Sequence, residues 1–332
     1  MFFYLVVTVL VFLMPSNAFP EPPAKAKYLI RAGFTNPVNH PITEAGFLFR
    51  DVVEYRSKGQ IKVEVYPNGQ LGSNKELAES VRSGTIQMTS VAPPYLTPLV
   101  SWFDTLLLPF LWKNYESEWS AFNGWLGNEM SAALKAKGIA LVGVMEGGFN
   151  QIGNKIRPVE KVGDLKDIKI RLAPSPISLA AFQALGAKAI TMDYKEVYTS
   201  LESGTIEGIV LGSTYMWNTK FYEVLKYLSL CNIQENPMPF LMNNKFLESL
   251  PPDLKNIVLE SAAIARDRER ARVAGEETEV LELLRTKTNM KINAVSAEQL
   301  KLFKKAAMPA YEFGRKKYGQ EIVDKLEAAA GQ

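Results

Sequence analysis

Two stretches decide how this chain reads: "LAESVRSGTIQMTSV" (77–91) and "VYTSLESGTIEGIVL" (197–211). Both contain Ser-Gly-Thr-Ile, at 83–86 and at 203–206. In each copy an amphipathic helical pattern runs out at Ser-Gly, where glycine accepts the left-handed backbone that closes a helix. Thr-Ile then opens a β-prone run. Each copy therefore reads as helix, glycine stop and strand, and the repetition predicts two α/β domains on a similar plan.

Working outward, "YLIRAGF" (28–34) reads as a buried first strand. Pro41 suits the first turn of a helix that runs to about Ser57. "IKVEVY" (61–66) alternates as a strand does, and Ser73 with Glu76 forms the Ser-x-x-Glu capping box of the next helix. Further strands are expected at 139–146 and 168–173, with 147–167 as a connector between them. From Pro251–Pro252 the pattern predicts an unbroken helix of roughly thirty residues, long enough to span two domains. "SAEQ" (296–299) opens a final helical region. Strands alternating with helices throughout predict α/β domains with mainly parallel sheets.

Composition narrows the function. The 332 residues carry 38 basic and 35 acidic side chains, a net charge of +3 that gives no electrostatic basis for nucleic-acid binding. One cysteine, Cys231, cannot form an intrachain disulfide, and in "LSLCNI" it reads as a small buried hydrophobe. The first 18 residues read as an export signal, with an apolar core at 2–14 and "SNA" as the cleavage site, although no basic residue precedes Lys25. The mature chain is therefore expected outside the cytoplasm.

The sequence carries no zinc-protease, dinucleotide, P-loop or nucleophile-elbow motif, so no cofactor, no metal and no catalytic residue is expected. His40, the one histidine, lies in the turn "NPVNHP" and reads as a capping or pocket-edge residue. A rival reading as an exported enzyme would have only Glu146, Asp193 or Glu207 to offer as general base. Arg171, in "DLKDIKIRLAPSP", falls at the carboxyl end of a strand, where ligands gather in open α/β sheets. Its guanidinium suits a bidentate grip on a carboxylate; the alternative is a salt bridge to Asp167 or Asp193.

The segments "EVYPNGQLGSNKELAESVRSGTIQM", "LLLPFLW", "RPVEKVGDLKDIKIRLAPSP", "LGAKAITMDYKEVYTSLESGTIEG" and "FYEVLKYLSL" resemble, in order and spacing, the extracytoplasmic solute-binding proteins of TRAP transporters. The resemblance implies a two-lobed periplasmic-binding-protein-like α/β fold of type II with a long domain-spanning helix, closing on its ligand like a clamshell. It implies lobes of 28–148 with 237–276 and of 149–236 with 277–332, and a membrane subunit pair as partner. It also implies that Arg171 binds the ligand carboxylate and that Tyr194 forms an aromatic wall. Two positions depart from many sialic-acid and dicarboxylate members. Gln151 stands where those carry a second arginine, and Leu211 where they carry a ligand-touching asparagine. The expected ligand is accordingly a monocarboxylate with an apolar or aromatic body; a dicarboxylate, a keto acid or a sensory role is the alternative. Gln151, Asn36 and His40 are expected to add hydrogen bonds. Trp217, Tyr215, Phe34 and Tyr95 are candidate walls, or else fill the interdomain seam.

Overall fold

The computed structural model describes residues 26–331, so the expected export signal at 1–18 lies outside the described residues. The strands are β1 (Tyr28–Gly33), β2 (Ile61–Tyr66), β3 (Met88–Ser90), β4 (Ile139–Glu146), β5 (Asn150–Asn154), β6 (Lys169–Leu172), β7 (Lys188–Thr191), β8 (Gly208–Gly212), β9 (Tyr227–Gln234), β10 (Pro237–Asn243) and β11 (Lys291–Ala294). They form two sheets, ordered β2-β1-β3-β10-β4 and β11-β9-β5-β8-β6-β7. The arrangement β2-β1-β3 of the first sheet recurs as β7-β6-β8 in the second, with every pair in each trio parallel.

The Ser-Gly-Thr-Ile repeat marks the same junction in both trios. Helix Asn74–Ser83 stops at Gly84 (φ 86°), and the matching helix Val197–Glu202 is followed by Gly204 (φ 77°). Ser83 Oγ meets Thr85 Oγ1 at 3.0 Å, and Ser203 meets Thr205 at the same distance. Ile86 N donates to Ser80 O and Ile206 N to Ser200 O, both at 3.2 Å. The chain then joins the sheet through Gln87 N to Arg31 O in one lobe and Glu207 N to Lys169 O in the other. The strands proper begin at Met88 and Gly208, three residues later than the β-prone run suggests, because Thr, Ile and the residue after them form the turn and its first link to the sheet.

Both sheets are mixed rather than mainly parallel. β10 runs antiparallel to β3 and β4, and β5 runs antiparallel to β8 and β9. The reason is the crossing between sheets: β4 passes through Gly147–Phe149 into β5, and β9 through Glu235–Asn236 into β10. A strand that continues across the hinge enters the other sheet from its far end. β5 lies inside the segment expected to be a connector; it is buried on both faces, so it lacks the alternation that betrays a strand. A third crossing is the helix Pro252–Lys287, 36 residues long, which packs on helix Pro41–Arg56 and β4 at one end of the molecule and on helix Ser213–Asn218 at the other. Ser73 and Glu76 form the reciprocal capping box. At Ser296 only the serine half forms, with Oγ accepting from Gln299 N.

Candidate functional site

The carboxyl ends of the two parallel trios face each other across the hinge, and a cavity of about 50 Å³ lies between them. The repeat supplies its walls in corresponding pairs. Register alignment of the trios (Ala32 on Met88, Ile170 on Gly208) puts Arg171 where the first lobe has Gly33, and Ala173 where it has Thr35. At fixed spacing from Ser-Gly-Thr-Ile, Asn74 corresponds to Tyr194 and Tyr95 to Tyr215. Thr35, Ala173, Asn74, Tyr194, Tyr95, Tyr215 and Arg171 all line the cavity, joined by Asn36, Ala92 and Leu211 and, from the hinge, Asn236 and Met238.

Among the described residues, Arg171 is the one charged side chain lining this cavity, and it is 2% exposed. Its Nε and Nη2 donate to Met192 O, at 3.1 and 2.8 Å, and Nη2 reaches Tyr95 Oη of the opposite lobe at 3.4 Å. Nη1 has no protein acceptor, and no carboxylate among the described residues pairs with the guanidinium. The salt-bridge alternatives are otherwise engaged: Asp167 pairs with Lys188, and Asp193 caps Lys195 N. A buried guanidinium with open donors and no counter-charge has the chemistry to take an anion.

The surrounding hydroxyls remain donors. Burial pushes the Tyr95 phenol up against the opposing pull of Arg171, and burial likewise raises Tyr194 and Tyr215. Tyr194 Oη completes no hydrogen bond although it is buried. Thr35 Oγ1 donates to Asn74 Oδ1 at 3.1 Å, and the Asn74 amide N–H groups face the Tyr95 phenol in the cavity. Outside Thr35 and Tyr194 the cleft widens to about 550 Å³ between Asn39, Asn68, Lys195, Asn218 and Lys220. Two contacts cross this mouth: Asn39 Nδ2 to Asn218 Oδ1 at 3.1 Å and Lys195 Nζ to Gly69 O at 3.4 Å.

Of the residues singled out from sequence, Arg171, Tyr194, Leu211, Asn36, Tyr95 and Tyr215 meet at the cavity. Four do not. Gln151 lies at a register break between β5 and β9, where Asn232 takes a positive φ of 44°. Its Oε1 accepts from Cys231 N and Asn232 N, and its Nε2 donates to Phe149 O and Asn232 Oδ1, so the side chain patches the bulge. Phe34 is core, its ring filling the space over Gly46. His40 caps helix Pro41–Arg56, with Nδ1 accepting from Ile42 N at 3.3 Å, and stands behind Tyr215 at 4.4 Å between ring centroids. Trp217 packs on Tyr222 away from the cavity. Asn74 and Thr35 went unnoticed in the sequence, although counting back from each Ser-Gly-Thr-Ile pairs Asn74 with Tyr194.

A model described as "Bacterial extracellular solute-binding protein, family 7" matches residues 32–317. The chain belongs to this family of TRAP solute-binding proteins. The 2,3-diketo-L-gulonate-binding periplasmic protein YiaO of Escherichia coli is 31% identical over 70% of this chain and 71% of its own. Among solved structures, the sugar acid binding protein of Advenella mimigardefordensis in complex with galactonate superposes with a TM-score of 0.89 at 30% identity, covering 92% of this chain and 99% of that one. A TRAP periplasmic solute-binding protein of Sulfurospirillum deleyianum with bound succinate gives 0.87 at 25% identity, with coverage of 92% and 99%. The family is extracytoplasmic, and no helix among the described residues is long and apolar enough to cross a membrane.

Proposed function

We propose that this solute-binding protein captures a small organic monocarboxylate, with Arg171 holding the carboxylate, and delivers it to the membrane subunits of a TRAP-type secondary transporter. The observation that carries the reading is the buried guanidinium with an unused Nη1 and no counter-ion. The mature chain works in the periplasm after export. The sheet memberships support lobes of 28–148 with 237–276 and of 149–236 with 277–332, hinged at 147–149 and 235–236.

The lining of the cavity bears on which monocarboxylate the site would take. The enclosed space, about 50 Å³, favours a compact acid in this closed arrangement. Leu211, Met238 and Ala173 supply an apolar flank, while Thr35, Asn36, Asn74 and Asn236 favour hydroxyl or keto groups on the other side. A dicarboxylate would need a second cation, and the nearest in the cleft, Lys195 and Lys220, stand in the outer mouth. The enzyme reading finds no base in the cavity. Glu146 accepts from Gly148 N, Asp193 is a helix cap and Glu207 accepts from Lys169 N.

A thermal-shift screen of the mature protein tests this against short hydroxy and keto monocarboxylates, aldonates, dicarboxylates and aromatic acids. Binding to the native state alone raises Tm. Shifts confined to small monocarboxylates and lost in Arg171→Met support the proposal. Shifts with dicarboxylates alone, or shifts that survive the substitution, refute it.

A further inference from the structure

Away from the ligand cavity, the hinge buries a second cluster of chemistry. Glu118 comes from helix Tyr115–Asn123, Glu146 ends β4 and Glu235 sits between β9 and β10. Each is at most 3% exposed, and one carboxylate oxygen from each lies within 4.8 Å of the others. Glu146 is held in place: Oε1 accepts from Gly148 N at 2.8 Å and Oε2 from Trp119 Nε1 at 2.9 Å. Glu118 and Glu235 are not. All four of their oxygens are buried without a donor from outside the cluster, and both side chains aim into the space they share with Glu146. The neighbouring cation, Arg270, spends Nη1 on Asn123 Oδ1 and lies over the Trp119 ring, forming no ion pair with the three. A fourth buried carboxylate, Glu269, accepts from Glu146 N.

We propose that Glu118, Glu146 and Glu235 form a divalent-cation site of the calcium type in the hinge. Oxygens around Ca²⁺ sit about 2.3–2.6 Å from the ion, so two ligands on opposite sides lie about 4.6–5.2 Å apart. Three oxygens within 4.8 Å therefore fit one coordination sphere. An all-carboxylate set without nitrogen or sulfur selects a hard cation. The ion would supply the partner that the four orphaned oxygens lack, and neutralise charge that burial otherwise makes costly. Without it, burial and mutual repulsion push the Glu118 and Glu235 carboxyls well above their usual range. The three ligands come from distant segments, which is why no metal spacing shows in the sequence.

The test uses the mature chain, stripped with a chelator and free of organic acid, so it stands or falls independently of the ligand reading. Calcium titration at pH 7.5 is followed by calorimetry and by Tm. Terbium is titrated in parallel, with luminescence excited through Trp119. We expect one saturable site per chain, a Tm rise of a few degrees at about 100-fold excess over Kd, and sensitised terbium emission that calcium quenches. Glu118→Gln and Glu235→Gln should each weaken binding at least about 10-fold, as loss of a charged ligand predicts. No saturable calcium or terbium binding to the wild-type chain overturns the proposal even if a variant fails to fold. So does binding unchanged in both variants. A metal-independent Tm that falls as pH rises, and is flattened by either Gln variant, would assign the cluster to shared protons instead.

Discussion

Replacing Arg171 by methionine should separate binding from stability. In the ligand-free protein the guanidinium is buried, lacks a counter-charge and contacts only Met192 O and Tyr95 Oη. Removing an uncompensated buried charge in favour of an apolar side chain of similar reach is commonly neutral or stabilising by about 1–4 kcal/mol. Against this, Met192 O loses its donors, a cost of about 1–3 kcal/mol. The two nearly cancel, so Tm of the ligand-free variant should stay within a few degrees of wild type. Ligand binding loses far more. Each charge-assisted hydrogen bond contributes about 1.5–3 kcal/mol, and a two-point grip lost at once costs about 3 kcal/mol or more, roughly a 10²-fold rise in Kd. Calorimetric titration with the best ligand of the screen reads the second effect and a denaturation curve without ligand reads the first. Affinity within about 3-fold of wild type would refute Arg171 as the anchor. A collapse of ligand-free stability would show that the guanidinium serves the fold instead.

Other substitutions probe the remaining assignments. Gln151→Leu should destabilise by about 1–3 kcal/mol, because the Cys231 and Asn232 N–H groups lose their buried acceptor, and should leave Kd unchanged to within about 3-fold; a large Kd change with intact stability would return Gln151 to the site. Leu211→Asn places an amide on the apolar flank, so an acid without a matching hydroxyl should lose about 10-fold in affinity relative to a polyhydroxy acid; an unchanged affinity ratio would place Leu211 out of ligand contact. Burial and the Arg272 charge hold His40 down at about 3 against an ordinary 6.5, so the unfolded chain binds the extra proton between those values. The stability from His40 is complete above about pH 6.5 and declines as pH falls, by about 1.4 kcal/mol per pH unit, until about pH 3. His40→Asn keeps the cap and should flatten that slope relative to wild type in denaturation curves taken across the window; parallel curves would contradict the assignment.

What the sequence discloses here is what short-range chemistry controls. A glycine stop after a helix, a serine cap and an uninterrupted 36-residue helix are each written within a few residues of where they act. Arg171 was legible for the same reason, a cation placed at a strand's carboxyl end. β5 was not, because a five-residue strand buried on both faces shows no alternation. Gln151 misled because its role depends on a bulge in β9, more than seventy residues away, whose broken register only the folded sheet reveals. Glu118, Glu146 and Glu235 read as ordinary charges until three segments converge.

The repeat that opened the reading also explains how one cavity comes to have two unlike halves. Two trios with the same strand order face each other, so each wall residue has a counterpart, and the site's chemistry lies in where counterparts differ. Gly33 against Arg171 gives one lobe the cation. Thr35 against Ala173 and Asn74 against Tyr194 give the other lobe the neutral hydrogen-bonding groups. On the proposed function, a carboxylate would dock on the second lobe and its hydroxyl or keto groups would meet the first. Tyr95 already reaches Arg171 across the gap at 3.4 Å, a contact too long to satisfy the guanidinium. On the same proposal, closure over an anion would pair Nη1 and closure without one would not, so occupancy would favour the closed form by that difference. The same asymmetry predicts that a variant with Thr35→Val and Asn74→Leu still holds carboxylates through Arg171 but loses discrimination between hydroxy acids and their deoxy analogues. Equal discrimination by that variant and the wild-type chain would show that the first lobe only covers the ligand.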